Sequence, residues 1–174
     1  MTKQLHDAQV VMAGFKRPAV KATKTAVRQI LWAAAFFAMP GIVMAQPCEA
    51  TIEGNDAIRF SLSQIAVPAQ CPQFTVHLKH VGKLPKLAMG HNWVLTRKED
   101  MPGVMKEAMA VGASRDYLDP ADPRIIAHTP AIGGGQQTSV TFPTSRLKPD
   151  EEYVFFCSYG AHHVLMQGLL QVVR

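Results

Sequence analysis

Residues 46–174 read as an all-β domain, a Greek-key β-sandwich carrying one helical insertion. Three observations predict this. Short β-prone stretches recur along the chain between turns rich in Gly, Pro, Asn and Asp. One of them, Phe74-Thr75-Val76-His77-Leu78-Lys79, alternates apolar and polar residues, as a strand with one face in a core must. From Glu99 to Val111, by contrast, Met101, Val104, Met105, Ala108 and Met109 recur at spacings of three and four, the helical period.

Taken in order, Ala50–Glu53 is a short extended run ending at the turn signal Gly54-Asn55, and Ala57–Leu62 alternates partially. Phe74, Val76 and Leu78 form the core face of the next strand. Val81 to Lys86 is a Gly- and Pro-bearing loop, after which His91–Thr96 resumes as a strand with Trp93 and Leu95 inward. The Glu99–Val111 helix closes at Gly112. Asp119-Pro120-Ala121-Asp122-Pro123 is a turn, Arg124–Thr129 a short strand, and Gly133-Gly134-Gly135 a flexible turn. Thr138–Phe142, Tyr153–Cys157 and Gly168–Val173 are three further strands, with Lys148-Pro149-Asp150-Glu151 turning into the second.

The formal charge of +5 is unevenly placed. Residues 1–45 hold six basic residues (Lys3, Lys16, Arg17, Lys21, Lys24, Arg28) against the single acid Asp7, and the rest of the chain is balanced. The basic character therefore belongs to the leader and argues against a nucleic-acid partner. That leader has a basic start, an apolar run from Ile30 to Ala45 broken by Pro40-Gly41, and the small-residue end Val43-Met44-Ala45. It reads as a secretory signal cleaved after Ala45. The run is shorter than about 18 residues, which disfavours the alternative of a retained membrane anchor. The long basic start leaves a later initiation site, such as Met12, open. Export places the three cysteines in an oxidising compartment. Three cysteines leave one over. Since Cys157 lies in the ligand-like loop described next, Cys48–Cys71 is the simplest disulfide, although other pairings fit the count.

Function concentrates in Cys157-Ser158-Tyr159-Gly160-Ala161-His162-His163-Val164-Leu165-Met166. A thiolate, an imidazole and a thioether returning on one short loop suit copper, with Met166 as a weak axial ligand. The apolar strand leading into Cys157 keeps water from the sulfur. A second imidazole must come from elsewhere, and His91, in Gly90-His91-Asn92-Trp93, is the best candidate. His163 competes with His162, and the chemistry alone does not choose between them. Asn92 is placed to tether the ligand loop by side-chain hydrogen bonds, and backbone N–H groups near Cys157 to donate to its sulfur. Four protein ligands leave no exchangeable position for a substrate, which points to electron transfer and not to an enzyme. His77, His80 and His128 are read as surface or structural histidines.

Together these residues resemble the azurins, small periplasmic blue-copper proteins of bacteria within the cupredoxin family. The resemblance covers residues 48–174. It rests on Ile52-Glu53-Gly54-Asn55-Asp56, Cys71 to Val76, Leu84-Pro85-Lys86, Met89 to Leu95, Arg124 to Thr129, Ser139 to Phe142 and Phe155-Phe156-Cys157. The Gly-His-Asn-Trp tract and the Cys-x4-His-x3-Met loop are its most specific parts. It implies an eight-stranded Greek-key sandwich with an outer helical flap, a Cys48–Cys71 disulfide, and one copper per chain cycling between Cu(II) and Cu(I). His91, Cys157 and His162 would be equatorial ligands and Met166 axial, with the Gly90 carbonyl a weak contact opposite. The resemblance thus selects His162 over His163. Asn92, Ser158 and Tyr159 would support the ligands from behind. Trp93 would be a buried core indole, and His80 a partly buried histidine near the site that titrates.

The resemblance further implies a periplasmic monomer passing single electrons between redox proteins, such as c-type cytochromes or respiratory reductases and oxidases, which dock transiently. No stable membrane association is expected once the leader is removed. The docking patch would comprise Ile58, Leu84, Ala88, Met89 and Met109, with Tyr159, Ala161, Val164 and Leu165. A non-redox copper carrier or chaperone on the same fold is the alternative reading. One departure stands out. Where the family has Phe-Pro-Gly before the loop histidine, this chain has Tyr159-Gly160-Ala161. Loss of proline loosens the loop and restores an N–H at Gly160, which is expected to reach the Cys157 sulfur.

Overall fold

The alternating apolar positions become the inner faces of two facing sheets. The computed structural model describes residues 47–174, so the expected signal segment 1–45 lies outside the described residues. The strands are β1 (Glu49–Asn55), β2 (Arg59–Phe60), β3 (Gln64–Pro68), β4 (Gln73–His80), β5 (Val94–Arg97), β6 (Ile125–His128), β7 (Gln137–Pro143), β8 (Tyr153–Phe156) and β9 (Gln167–Val173). One sheet runs β2-β1-β4-β7, with β1 and β4 parallel. The other runs β3-β9-β8-β5-β6, with β3 and β9 parallel. The second strand of the chain is only two residues long. The unpredicted β3 brings the count among the described residues to nine, against about eight expected.

Phe74, Val76 and Leu78 point inward from β4 as their alternation requires, and meet Ile65, Val67, Leu95, Phe155 and Leu170 of the opposite sheet. Trp93 stacks between Phe142 and Phe155 at ring separations of 6.2 and 6.0 Å. It is fully buried, as the resemblance implies. Strand β8, in contrast, is apolar throughout, because both of its faces are covered. Helix α2 (Met101–Val111), entered through a 3-10 turn at Lys98–Asp100, lays Val104, Met105 and Ala108 over Val94, Ile125, Val154 and Phe156. This is the helical insertion read between Glu99 and Val111. Met109, from the same apolar series, faces away and is exposed. Gly112 ends the helix at φ +64, a conformation that favours glycine. Among the described residues no helix is long and apolar enough to cross a membrane.

Two connections prepare the functional end. The one-turn helix α1 (Lys86–Met89), absent from the sequence reading, leads into Gly90. It is seated on the Gly133-Gly134-Gly135 turn. A Cβ at Gly133 would lie 2.6 Å from the Lys86 nitrogen, and one at Gly134 would lie 2.6 Å from the Lys83 carbonyl carbon. The first two glycines are thus required for backbone to meet backbone, and the turn expected to be flexible is a packing seat.

Cys48 and Cys71 form the disulfide. It joins the start of β1 to the approach to β4, across a sequence separation of 23 residues. Loop closure of that size stabilises by about 3 kcal/mol on the chain-entropy model. Replacing both cysteines by serine is expected to lower the urea-unfolding free energy by about that amount while leaving the β-sheet circular dichroism unchanged.

Candidate metal centre

The strand β8 delivers Cys157 to a point where it has no exposed surface. The chain then turns through Ser158–Ala161, makes a 3-10 turn at His162–Val164 and returns at Met166. The loop is closed at its base: the Cys157 N–H donates to the Met166 carbonyl at 3.0 Å, and the Met166 N–H to the His162 carbonyl at 2.8 Å. His91 arrives from the opposite side, after Gly90, paired in both directions with the backbone of Ile132.

These side chains converge. The Cys157 Sγ lies 3.9 Å from His91 Nδ1, 3.7 Å from His162 Nδ1 and 4.0 Å from the Gly90 carbonyl oxygen. The three donor atoms of Cys157, His91 and His162 all fall within 4.8 Å of one another. Met166 is fully buried beside them in a cluster with Cys157, Tyr159 and Ala131. One soft thiol, a thioether and two imidazoles, with no carboxylate in the group, match the preferences of copper.

The neighbours orient the donors. His91 Nε2–H donates to the Asn55 carbonyl at 2.9 Å, which leaves the Nδ1 lone pair facing the sulfur. The same carbonyl accepts the Ile58 N–H and closes a turn in which Ile58 sits at φ +55, an unusual conformation for a β-branched residue. Gly54 packs flat against the ligands: a Cβ there would lie 2.9 Å from His91 Cδ2 and 3.3 Å from the Met166 methyl. The Asn92 amide donates to Ser158 Oγ and accepts the Ser158 N–H, both at 2.8 Å, spanning the two halves of the site. His80 stacks on His91 at 4.4 Å and is buried, not partly exposed; its Nε2–H donates to the Met89 carbonyl. His77 and His128 lie outside the cluster.

Burial dominates the electrostatics. It pushes the Cys157 thiol up to about 12, partly opposed by the backbone N–H groups of Asn92 and Tyr159. It holds His91 down at about 4 and lowers His162 as well. At neutral pH the metal-free cluster is therefore uncharged.

Several expectations are corrected by this geometry. The N–H groups at the sulfur belong to Asn92 and Tyr159, and Gly160 instead adopts φ +55, which no proline can adopt. Tyr159, expected on the docking patch, is buried because its ring turns in over Gly90 and against Tyr117. His162 joins the donor cluster and His163 stands outside it, in line with the choice the resemblance implies. Leu84, Ala88, Met109, Ala161, Val164 and Leu165 are exposed, with Ile58 and Met89 half-buried. Leu87 is 85% exposed, and Gly54 and Asn55, read as a turn and as part of the resemblance but given no role at the site, turn out to touch it.

The profile described as "Copper binding proteins, plastocyanin/azurin family" matches residues 46–173. The chain belongs to this family. It is 52% identical over 130 residues to the azurin of Achromobacter denitrificans, covering 75% of this chain and 87% of that one. It is 50% identical over 128 residues to an azurin of Pseudomonas aeruginosa, covering 74% and 86%. Among solved structures it resembles an azurin from the obligate methylotroph Methylomonas sp. strain J, with a TM-score of 0.71, 45% identity, and coverage of 74% of this chain and all of that one. Plastocyanin/azurin family membership agrees with the two-sheet β architecture and with copper as the cofactor.

The His91 environment has a measurable pH signature. An unfolded imidazole binds a proton near pH 6.5, whereas folded His91 resists until about 4. As pH falls through this window the unfolded state gains protons first, so the metal-free protein loses stability, on the order of 2–3 kcal/mol, and loses no more from this group below it. Urea unfolding of the metal-free protein at pH steps from about 7 to about 4 should show that decline, and His91→Gln should flatten it.

Proposed function

We propose that His91, Cys157 and His162 would hold a single copper ion, with Met166 and the Gly90 carbonyl as weak contacts, and that the protein is an electron carrier between periplasmic redox proteins. The observation that carries this reading is the fully buried Cys157 sulfur facing two imidazole Nδ1 atoms at less than 4 Å. Copper bound here supplies one-electron chemistry between its two common oxidation states. The protein supplies everything else. The loop closed between Cys157 and Met166 holds the donors in place, Asn55 fixes the His91 tautomer, and Asn92 locks the loop to the opposite strand. The apolar cluster of Ala131, Tyr159 and Met166 keeps water from the sulfur.

Contact with partners would occur where His162 approaches the surface. Val164 and Leu165 lie next to it in the chain, and both are exposed, as are Leu84, Leu87 and Met109. Exposed apolar side chains beside a redox centre favour short-lived docking, because they bind without the directional bonds that slow release. The leader-like residues 1–45 and the disulfide support a periplasmic location. A thiol with no exposed surface suits a carrier that retains its metal better than a chaperone that hands metal on.

One equivalent of Cu(II) added to the purified protein should produce an intense thiolate-to-copper absorption band and a reversible one-electron titration, and Cys157→Ser should lose the band. Colourless, rapidly exchanging copper would sink the proposal. Because the thiol proton is held up to about 12, uptake of Cu(I) between about pH 7 and 8 should release one proton, measurable by calorimetry in buffers of different ionisation enthalpy. Leu87→Lys should slow electron exchange with a cytochrome about tenfold without altering the band, as expected for a docking residue outside the metal shell.

A further inference from the structure

Tyr159 touches the centre in two ways. Its backbone N–H faces the Cys157 sulfur, and its ring leans on the His162 ring at 5.9 Å. The place of this residue therefore bears on one N–H donor to the sulfur and on the packing of one imidazole. The loop is closed at its base and the His162 N–H donates to the Tyr159 carbonyl at 3.2 Å, but the stretch after Tyr159 is lightly held. Gly160 follows at φ +55, a Cβ on it would meet nothing within 4 Å, and Ala161 is exposed. A stretch of this kind has few contacts of its own to restrain it.

The restraint on the Tyr159 ring comes from outside the loop. On one side the Tyr159 ring rests on Gly90, where a Cβ would lie 2.5 and 2.6 Å from its Cε2 and Cζ atoms. On the other, Tyr117 meets it edge-to-face, with centroids 5.1 Å apart and planes at 65°. Such aromatic pairs have a preferred geometry and so convey position as well as burial. Tyr117 and the preceding Asp116 both adopt left-handed backbone conformations, φ 53 and 52. Successive non-glycine residues persist in that region only where their surroundings hold them. Here the Asp116 carboxylate accepts from the Lys86 ammonium at 2.9 and 3.0 Å. Lys86 opens the one-turn helix that ends at Gly90. The contacts form a closed circuit: Gly90 to Tyr159, to Tyr117, through Asp116 to Lys86, and along α1 back to Gly90.

We propose that Tyr117, anchored by the Asp116–Lys86 pair, is a positioning residue for the copper loop: it clasps the Tyr159 ring onto Gly90 and so fixes the sulfur's N–H donor and the His162 ring. This rests on the reading of the site as a copper centre, and the decisive measurement is made without copper. Cys157 is fully buried, so its alkylation by iodoacetamide in the metal-free protein reports opening of the loop.

Tyr117→Ala is expected to raise the alkylation rate at least tenfold, with a much smaller change in the urea-unfolding constant. Tyr117→Phe, which keeps the ring, is expected to retain the original rate. In the copper-loaded protein, Tyr117→Ala should shift the thiolate-to-copper band and the reduction potential, and Tyr117→Phe should shift neither. An unchanged alkylation rate in Tyr117→Ala overturns the proposal. So does a rise matched by an equal change in global unfolding, which would mark Tyr117 as merely structural. Should Tyr117→Ala fail to fold, Asp116→Asn decides, since it keeps both rings and weakens the anchor: a several-fold faster alkylation supports the clasp and an unchanged rate overturns it. Failure of the unaltered protein to bind copper would remove the copper reading, yet leave the alkylation comparison standing.

Discussion

Placing a sulfur atom where no water reaches it forces the surrounding structure into a narrow set of forms. A buried thiol holds its proton tightly, and neighbouring imidazoles in the same dry space refuse theirs. The group is stable only as a neutral set, or as a set whose proton is replaced by a metal ion. Neither state tolerates loose neighbours, because an unsatisfied polar atom in such a place costs about 1–3 kcal/mol. The Asn92 amide, the Asn55 carbonyl and the closed base of the loop therefore form part of the same requirement as the ligands themselves. The sandwich meets this requirement by drawing donors from distant parts of the chain onto one end of two packed sheets.

Much of this was legible in the residues. The alternation of Phe74, Val76 and Leu78 marks one face of β4 because one side of that strand meets the core and the other meets solvent. The Cys157, His162 and Met166 spacing was legible because the three lie on one short turn, where local sequence determines local geometry. The strand β3 escaped notice. Its inward residues Ile65 and Val67 make a short signal, and its pairing partner β9 lies about a hundred residues away. Helix α1 is a single turn without a side-chain cap, too short to show a period.

Other features depend on packing that no local pattern encodes. Whether Tyr159 turns in or out is decided by the vacancy above Gly90 and by Tyr117, more than forty residues away in the chain. Gly54 carries a turn signal, and its close approach to His91 and Met166 emerges only when the end of β1 packs against the site. The glycine turn at 133–135 shows the same limit in reverse. Composition suggests freedom, and contact with Lys83 and Lys86 removes it.

The position of the disulfide bears on how such a chain is made. A chain is made N-terminus first, so Cys48 and Cys71 are both present well before Cys157. The two early thiols can pair while the third is still behind them. Part of the cover over Cys157 comes from residues that follow it, Tyr159 and Met166, so the sulfur is shielded once the end of the chain packs, after the first two thiols have had time to join. The linear order of the three cysteines thus favours joining the first two and leaves the third free.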